Sequence, residues 1–392
     1  MLLIVCRTPL AAQDWPQLLG PNRDGVYTGP GRTPDRQLWK KPIGAGFAGP
    51  VVAGDRLIVF HRQKDKEIVE AWNTASGAVL WTYAYPTGYR DDFGFDEGPR
   101  SAPTIDGGRI YTFGAEGQLH CLNLADGRKV WSEDTHARFK VPKGYFGAAG
   151  APLVDENRVM MNIGGPGAGI VAFDRNNGKV LWTATDDPAG YSSPIVAALG
   201  GLKRALFLTR TGLVDVDPAT GKVRHSMRWR SRSDASVNAA SPVAAGGILF
   251  LSSSYGVGAV ALEVKGSEYR QLWASDDSLS NHYATSVHKD GSLYGFHGRQ
   301  EQGQQLRSVD LRSGKVQWSV DGLRAGSVTL AGDHLMVLRE NGELIVAAAD
   351  PKQFRVLSKH QLLEATVRAY PALAAGRFFL RNENSIACYR LK

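Results

Sequence analysis

Short apolar runs alternate with polar, glycine-containing turns along almost the whole chain. Leu57-Ile58-Val59-Phe60, Arg109-Ile110-Tyr111-Thr112-Phe113 and Leu293-Tyr294-Gly295-Phe296 are typical. Such runs are too short for helices, and they are rich in β-branched and aromatic residues. Turn formers such as Asp106-Gly107-Gly108 bound them, which predicts β-strands joined by tight turns.

The runs carry a repeated register: a small residue, any residue, Asp or Asn, three residues, Gly, three residues, Trp. Ala71-Trp72-Asn73 leads to Gly77 and Trp81; Cys121-Leu122-Asn123 leads to Gly127 and Trp131. Ala172-Phe173-Asp174 leads to Gly178 and Trp182; Ser308-Val309-Asp310 leads to Gly314 and Trp318. Three copies are degenerate. One ends in His225 instead of Trp, one reaches Trp273 with two extra residues, and one has Gln353 in place of Gly. In each full copy Asp or Asn bonds its own turn backbone, and Gly supplies the positive φ of the hairpin.

Copies recur at about 40–50 residues, and two more strands precede each one. Each unit is thus predicted to be a four-stranded antiparallel meander. Such a sheet cannot bury both faces alone, so the units stack radially. Inner strands start near Pro50, Pro103, Pro152, Pro194, Pro242, Thr285, Ser327 and Pro371, which gives eight units. The first outer strand, Gln37-Leu38-Trp39-Lys40, has no inner partners before it. The last set, through Ile386-Ala387-Cys388-Tyr389, has no outer strand after it. The expected fold is all-β: an eight-bladed β-propeller whose last blade joins N- and C-terminal strands and removes open edges.

Composition agrees with one large folded unit: 43% hydrophobic residues, 21% charged and 45 glycines. The formal net charge is +8, but the basic residues are scattered over turns, and no nucleic-acid motif accompanies them. No nucleic-acid partner is expected, no stretch is long enough to span a bilayer as a helix, and a monomer is predicted. Of the three cysteines, Cys121 and Cys388 fall at small strand positions as packed thiols. Residues 1–13 read as the remnant of a secretory signal peptide, 14–35 as an N-terminal leader segment, and 36–392 as the propeller. Val5 before Cys6 is a poor lipidation context, so no lipid anchor is expected and the chain is placed in the periplasm or outside a bacterial cell.

The register resembles the tryptophan-docking repeat of the PQQ-like propeller family, which includes the pyrroloquinoline-quinone (PQQ) dependent dehydrogenases and BamB. Asp14-Trp15-Pro16-Gln17 through Gly25 looks like the leader of a secreted bacterial branch of that family. The resemblance implies that Trp81, Trp131, Trp182, Trp273 and Trp318 pack between blades with their N–H groups bonded.

Ligands of propellers usually meet loops at one mouth of the channel, formed by the loops entering inner strands and those joining second to third strands. These loops carry the candidate binding residues Glu97, Arg100, Tyr145, Tyr191, Arg210, Asn238, Tyr255, Asn281, His282, Tyr283, His297, Arg299, Glu301 and Arg339. By topology His282 and His297 approach the same mouth. The loop 86–100, with Asp91-Asp92 and Asp96-Glu97, reads as an acidic loop paired with its own arginines, and no metal site is predicted. No HExxH, GxSxG or phosphate loop occurs.

Three functions fit this pattern. The first is a non-catalytic binding or scaffold propeller of the bacterial envelope, with a protein partner or an envelope polymer as ligand. The second, implied by the dehydrogenase resemblance, is a quinoprotein that needs PQQ and Ca²⁺. The third is a carbohydrate-binding or hydrolase-like propeller in which Tyr89, Phe93, Tyr145, Tyr191 and Tyr283 stack sugars. No cofactor is assigned from the residues themselves.

Overall fold

The computed structural model describes residues 13–233 and 237–392. The expected signal remnant before Gln13, with Cys6, lies outside the described residues. Eight sheets are present, each with a meander of four antiparallel strands. Blade 1 is Val51–Ala53, Arg56–Gln63, Lys66–Asn73 and Val79–Pro86. Blades 2 to 7 follow in chain order over residues 104–134, 153–184, 195–228, 243–275, 287–320 and 326–361. Blade 8 takes Ala372–Ala374, Arg377–Arg381 and Ser385–Leu391 from the end of the chain, and Pro34–Pro42 from its beginning. There Trp39 stands opposite Cys388, so the two ends close the ring as one antiparallel sheet. Cys121 and Cys388 are buried free thiols.

The repeat register has a direct structural meaning. The small residue lies across from the tryptophan in the neighbouring strand: Ala71 opposite Trp81, Cys121 opposite Trp131, Ala172 opposite Trp182, Ser308 opposite Trp318. A bulge follows at once, and the ring turns toward the next blade. Its Nε1–H then donates to the carbonyl one residue past that blade's turn position, which is Asp or Asn except in the seventh blade, where it is Ala349. Trp81 reaches Leu124 O at 3.1 Å, Trp131 reaches Arg175 O at 3.0 Å and Trp182 reaches Pro218 O at 3.2 Å. Trp273 bonds Leu311 O at 2.9 Å and Trp318 bonds Asp350 O at 2.8 Å. Trp39 does the same with Thr74 O at 3.1 Å. The ring lies on the next blade's turn glycine: a Cβ at Gly127 would come within 2.4 Å of Trp81. That glycine therefore serves both a positive φ and a close approach.

His225 stands where a tryptophan is missing, and the join of blades 4 and 5 is built differently. His225 stacks on Tyr269 with ring centroids 4.1 Å apart. Arg204, fully buried, pairs with Asp215 and donates to Gly266 O across the join. Tyr269 Oη donates to Asp215 Oδ2 at 2.9 Å.

The leader crosses the end of the channel where first and second strands of the blades turn. Trp15 pairs with Val52 of blade 1, and Pro16 O accepts from Ile105 N of blade 2 at 2.7 Å. Val26–Tyr27 adds in parallel to the inner strand of blade 7, opposite Leu330 and Ala331. Between these anchors Arg23 enters the channel. Its Nη1 donates to Pro194 O at 2.9 Å and Ala151 O at 3.4 Å, and its Nη2 to Thr104 Oγ1 at 3.3 Å and to Pro152 O. Nε donates to Gln17 Oε1 at 2.8 Å. All five guanidinium N–H groups thus have neutral oxygen acceptors. Burial lowers the Arg23 pKa to about 9, so the group stays charged at neutral pH.

Candidate functional site

The opposite mouth holds a cavity of about 280 Å³ on the propeller axis, with Leu18 of the leader among its lining residues. Its wall comes from one repeated position. Six inner strands are preceded by proline, which biases the residue before it toward extended backbone and fixes how the loop enters the channel. Three residues before that position stand Phe47, Arg100, Ala149, Tyr191, Ala239, Tyr283 and Arg368, and all seven line the cavity. One residue before it, Gly49, Ala102, Ser193, Ser241, Thr285 and Tyr370 form a second, narrower ring.

The cavity has an aromatic side and a polar side. On the first, the Arg100 guanidinium lies over Phe47 and Phe146 at 5.6 and 5.8 Å, and that of Arg368 lies over Phe47 and Phe95 at 5.5 and 5.7 Å. Phe47 is therefore shared by two cations. Arg100 pairs with Asp91 at 3.1 Å, and Arg368 with Glu340 at 2.8 Å. Tyr283 Oη also donates to Glu340, at 2.6 Å.

On the polar side, His282 Nδ1 takes the Gln300 N–H at 3.4 Å. That leaves the proton on Nε2, 3.0 Å from Tyr255 Oη. Burial lowers the His282 pKa. Burial works to raise the Glu301 carboxyl, but its own backbone N–H, Arg299 and His282 together hold it below the ordinary value. Arg299 bonds Glu301 at 3.0 Å and lies over the Tyr255 ring at 4.4 Å.

Of the residues expected from sequence, Arg100, Tyr191, Tyr255, His282, Tyr283 and Glu301 line this cavity. His297 does not join His282. It lines a separate groove with Ser254, Asp276 and Arg299, where its Nδ1 accepts from Ser280 N at 3.0 Å. Burial, then the charge of Arg307, lowers its pKa to about 4. Asn238 and Asn281 are buried and brace loops: Asn238 Nδ2 bonds Thr209 O at 2.8 Å, and Asn281 Nδ2 bonds Phe296 O at 2.9 Å. Arg339 is spent on Leu323 O at 2.9 Å and on Glu343. Glu97 is half-exposed and lies outside the cavity lining, with Arg90 at 3.0 Å and the buried Arg62 at 3.7 Å. Tyr145 and Arg210 pack on each other at 5.4 Å and line a neighbouring pocket with Tyr191.

Phe47, Phe95, Phe146, Arg368 and Tyr370 were not among the expected residues. Alignment of the loops on their prolines would have exposed Phe47, Arg368 and Tyr370, which share the register of Arg100, Tyr191 and Thr285. No comparable signal marks Phe95 and Phe146. Among the described residues no three His, Cys, Asp or Glu side chains converge to hold a metal ion, and no helix is long and apolar enough to cross a membrane.

Comparison with known proteins gives relatives of several kinds, among them quinone-dependent alcohol dehydrogenases and BamB. The quinohemoprotein alcohol dehydrogenase of Comamonas testosteroni is 28% identical over 135 residues, 32% of this chain and 18% of that protein. Its crystal structure superposes with a TM-score of 0.66 at 15% identity, covering 96% of this chain and 80% of that one. The outer membrane protein assembly factor BamB of Alkalilimnicola ehrlichii is 28% identical over 143 residues, 35% of this chain and 32% of that protein. The crystal structure of BamB from Moraxella catarrhalis superposes with a TM-score of 0.65 at 14% identity, covering 91% and 98% of the two chains. The matched region spans about a fifth of the curated dehydrogenases and about a third of the curated BamB. The sequence model of the family described as outer membrane protein assembly factor BamB matches residues 65–301, more than half of the chain. With eight blades, six of them carrying the docking tryptophan, and that match, this chain belongs to the BamB-type family of PQQ-like repeat propellers.

Proposed function

We propose that this chain is a non-catalytic binding propeller of the bacterial envelope, and that it receives its ligand at the axial mouth. One observation carries the reading: the channel is closed from the far side by the leader, with Arg23 hydrogen-bonded across it. The mouth is thus a shallow, walled receptacle. Kinship with BamB supports a protein partner.

The dehydrogenase alternative asks the same mouth to hold PQQ and Ca²⁺. Glu301 and Glu340 are the carboxylates of the mouth, and each is already paired with an arginine. Asp91, behind Arg100, is filled by backbone N–H groups of Phe93, Phe95 and Asp96. These oxygens do not present a site for a hard divalent cation, which takes six to eight oxygen ligands. The donor set does not fit the Ca²⁺–quinone pair.

The test is a titration of the purified chain with PQQ, with and without Ca²⁺, read by tryptophan fluorescence and followed by dye-linked alcohol oxidation. Neither saturable Ca²⁺-dependent quenching nor turnover is expected. Micromolar, Ca²⁺-dependent binding with turnover would replace this reading by the dehydrogenase.

A further inference from the structure

The aromatic side of the cavity contains a donor that nothing uses. Arg100 Nη2 bonds Asp91, but its Nη1 is buried without an acceptor. A buried guanidinium N–H in that state costs free energy until an oxygen, above all an anionic one, reaches it. Asp91 cannot supply that oxygen with its Oδ2, which already takes Arg100 Nη2 and two backbone N–H groups. Arg368 places a second cation on the same Phe47 ring.

Size and continuity narrow the occupant. A space of about 280 Å³ is at the lower edge of ligand pockets and admits one large side chain with a carboxylate. The apolar wall does not stop at the rim. Phe93 and Phe95 are each 53% exposed, and both are in ring contact with Phe146 of the wall, at 5.2 and 6.2 Å. Tyr145 extends the row, 5.9 Å from Phe93. Adjacent aromatic rings left in solvent mark an interaction surface. A small free acid would fill the cavity and leave this ridge bare, whereas a chain ending in the cavity would cover both.

We propose that the axial mouth binds the free carboxyl terminus of a peptide whose last residue is large and apolar. The terminal carboxylate sits on Arg100 Nη1, and the last side chain packs against Phe47, Phe95 and Phe146. The preceding residues run out along Phe93 and Tyr145. This assignment rests on the binding reading above and names its ligand class.

The probe is a short fluorescein-labelled peptide ending in Leu-Phe with a free carboxylate, compared with its C-terminal amide by fluorescence anisotropy on the full chain. Saturable binding of the acid, at least about tenfold tighter than the amide, is expected. Arg100→Gln should remove that preference, and Phe95→Ala should weaken the acid about tenfold. Both variants are checked first for an unchanged melting temperature. Phe95 is half in solvent, so its variant carries the test if Arg100→Gln does not fold. Equal affinity for acid and amide, no binding at millimolar peptide, or benzoate binding as tightly as the peptide would each overturn the proposal. If the peptide fails and PQQ turnover is also absent, only this inference falls; turnover with PQQ removes the binding reading as well.

Discussion

The Trp182 ring of blade 3 lies where a side chain at Gly221 of blade 4 would stand: a Cβ there would come 2.5 Å from Trp182 Cε3. The two residues hold one join from both sides. Trp182→Ala is expected to lower stability by about 3–5 kcal/mol, since it removes a large ring and its bond to Pro218 O. Gly221→Ala should cost less, about 1–3 kcal/mol, from the clash together with a φ of +73°. The double variant should cost less than the sum, because the clash vanishes with the ring. Urea unfolding of the four proteins measures this, and strict additivity would deny the contact.

The join of blades 4 and 5 answers to a different change. Arg204→Met leaves Asp215 buried without its cation, and a loss of about 3–5 kcal/mol is expected. Arg204→Met combined with Asp215→Leu should recover much of that loss. A double variant no more stable than the single one would show that Gly266 O and Tyr269, not the charge pair, carry the join.

Arg23→Met should release the leader before it unfolds the ring. Four main-chain or side-chain oxygens across blades 2, 3 and 4 lose their donor, at about 2–4 kcal/mol in total after the relief of a buried charge. Limited proteolysis followed by mass spectrometry should show new cuts between residues 13 and 33 with the blades intact. An unchanged digestion pattern would mean that Trp15 and Tyr27 suffice to hold the segment.

Acid should weaken the fold in a window set by buried imidazoles. Burial holds His120 at about 4, and its Nδ1 is buried without a partner, 4.2 Å from Tyr85 between ring centroids. Between pH 6.5 and 4 the unfolded chain binds more protons at His120 and His297 than the folded one does. Stability is therefore complete above the unfolded value and is lost as pH falls toward the folded value. Glu67, raised by burial, works in the opposite sense, so the comparison must be between parent and variant. His120→Phe should flatten the stability–pH curve across this window by roughly 2–3 kcal/mol. Parallel curves for the two proteins would remove His120 as a source of the slope.

The fold was legible because its signals are local and repeated. A small residue, a turn Asx, a glycine and a tryptophan at fixed spacing each state one contact, and blade closure follows from Gln37–Lys40 and Ile386–Tyr389 lacking strands on opposite sides. The site was legible only in part. Topology places His282 and His297 in loops of the same face, but a loop residue's direction is set by tertiary contacts. Ser280 N turns His297 into a groove, while Gln300 N and Tyr255 hold His282 on the axis. Arg23 was read only as part of a leader, because nothing in its neighbours marks a side chain destined for carbonyls more than a hundred residues away.

The leader also constrains the order of events in folding. Tyr27 Oη accepts from Gly376 N, 349 positions later, and Arg23 bonds Pro194 O at a separation of 171. The Tyr27 contact needs the last blade, whose sheet is completed when Pro34–Pro42 meets Ser385–Leu391, and the Arg23 contact needs the start of blade 4. Tyr27 is therefore fixed only after the last blade has been made, whereas Trp15 and Pro16 can seat once blades 1 and 2 exist. The leader's seating works as a latch: a ring that has lost or misplaced a blade offers Val26 and Tyr27 no correctly spaced berth, and only the complete ring is fastened.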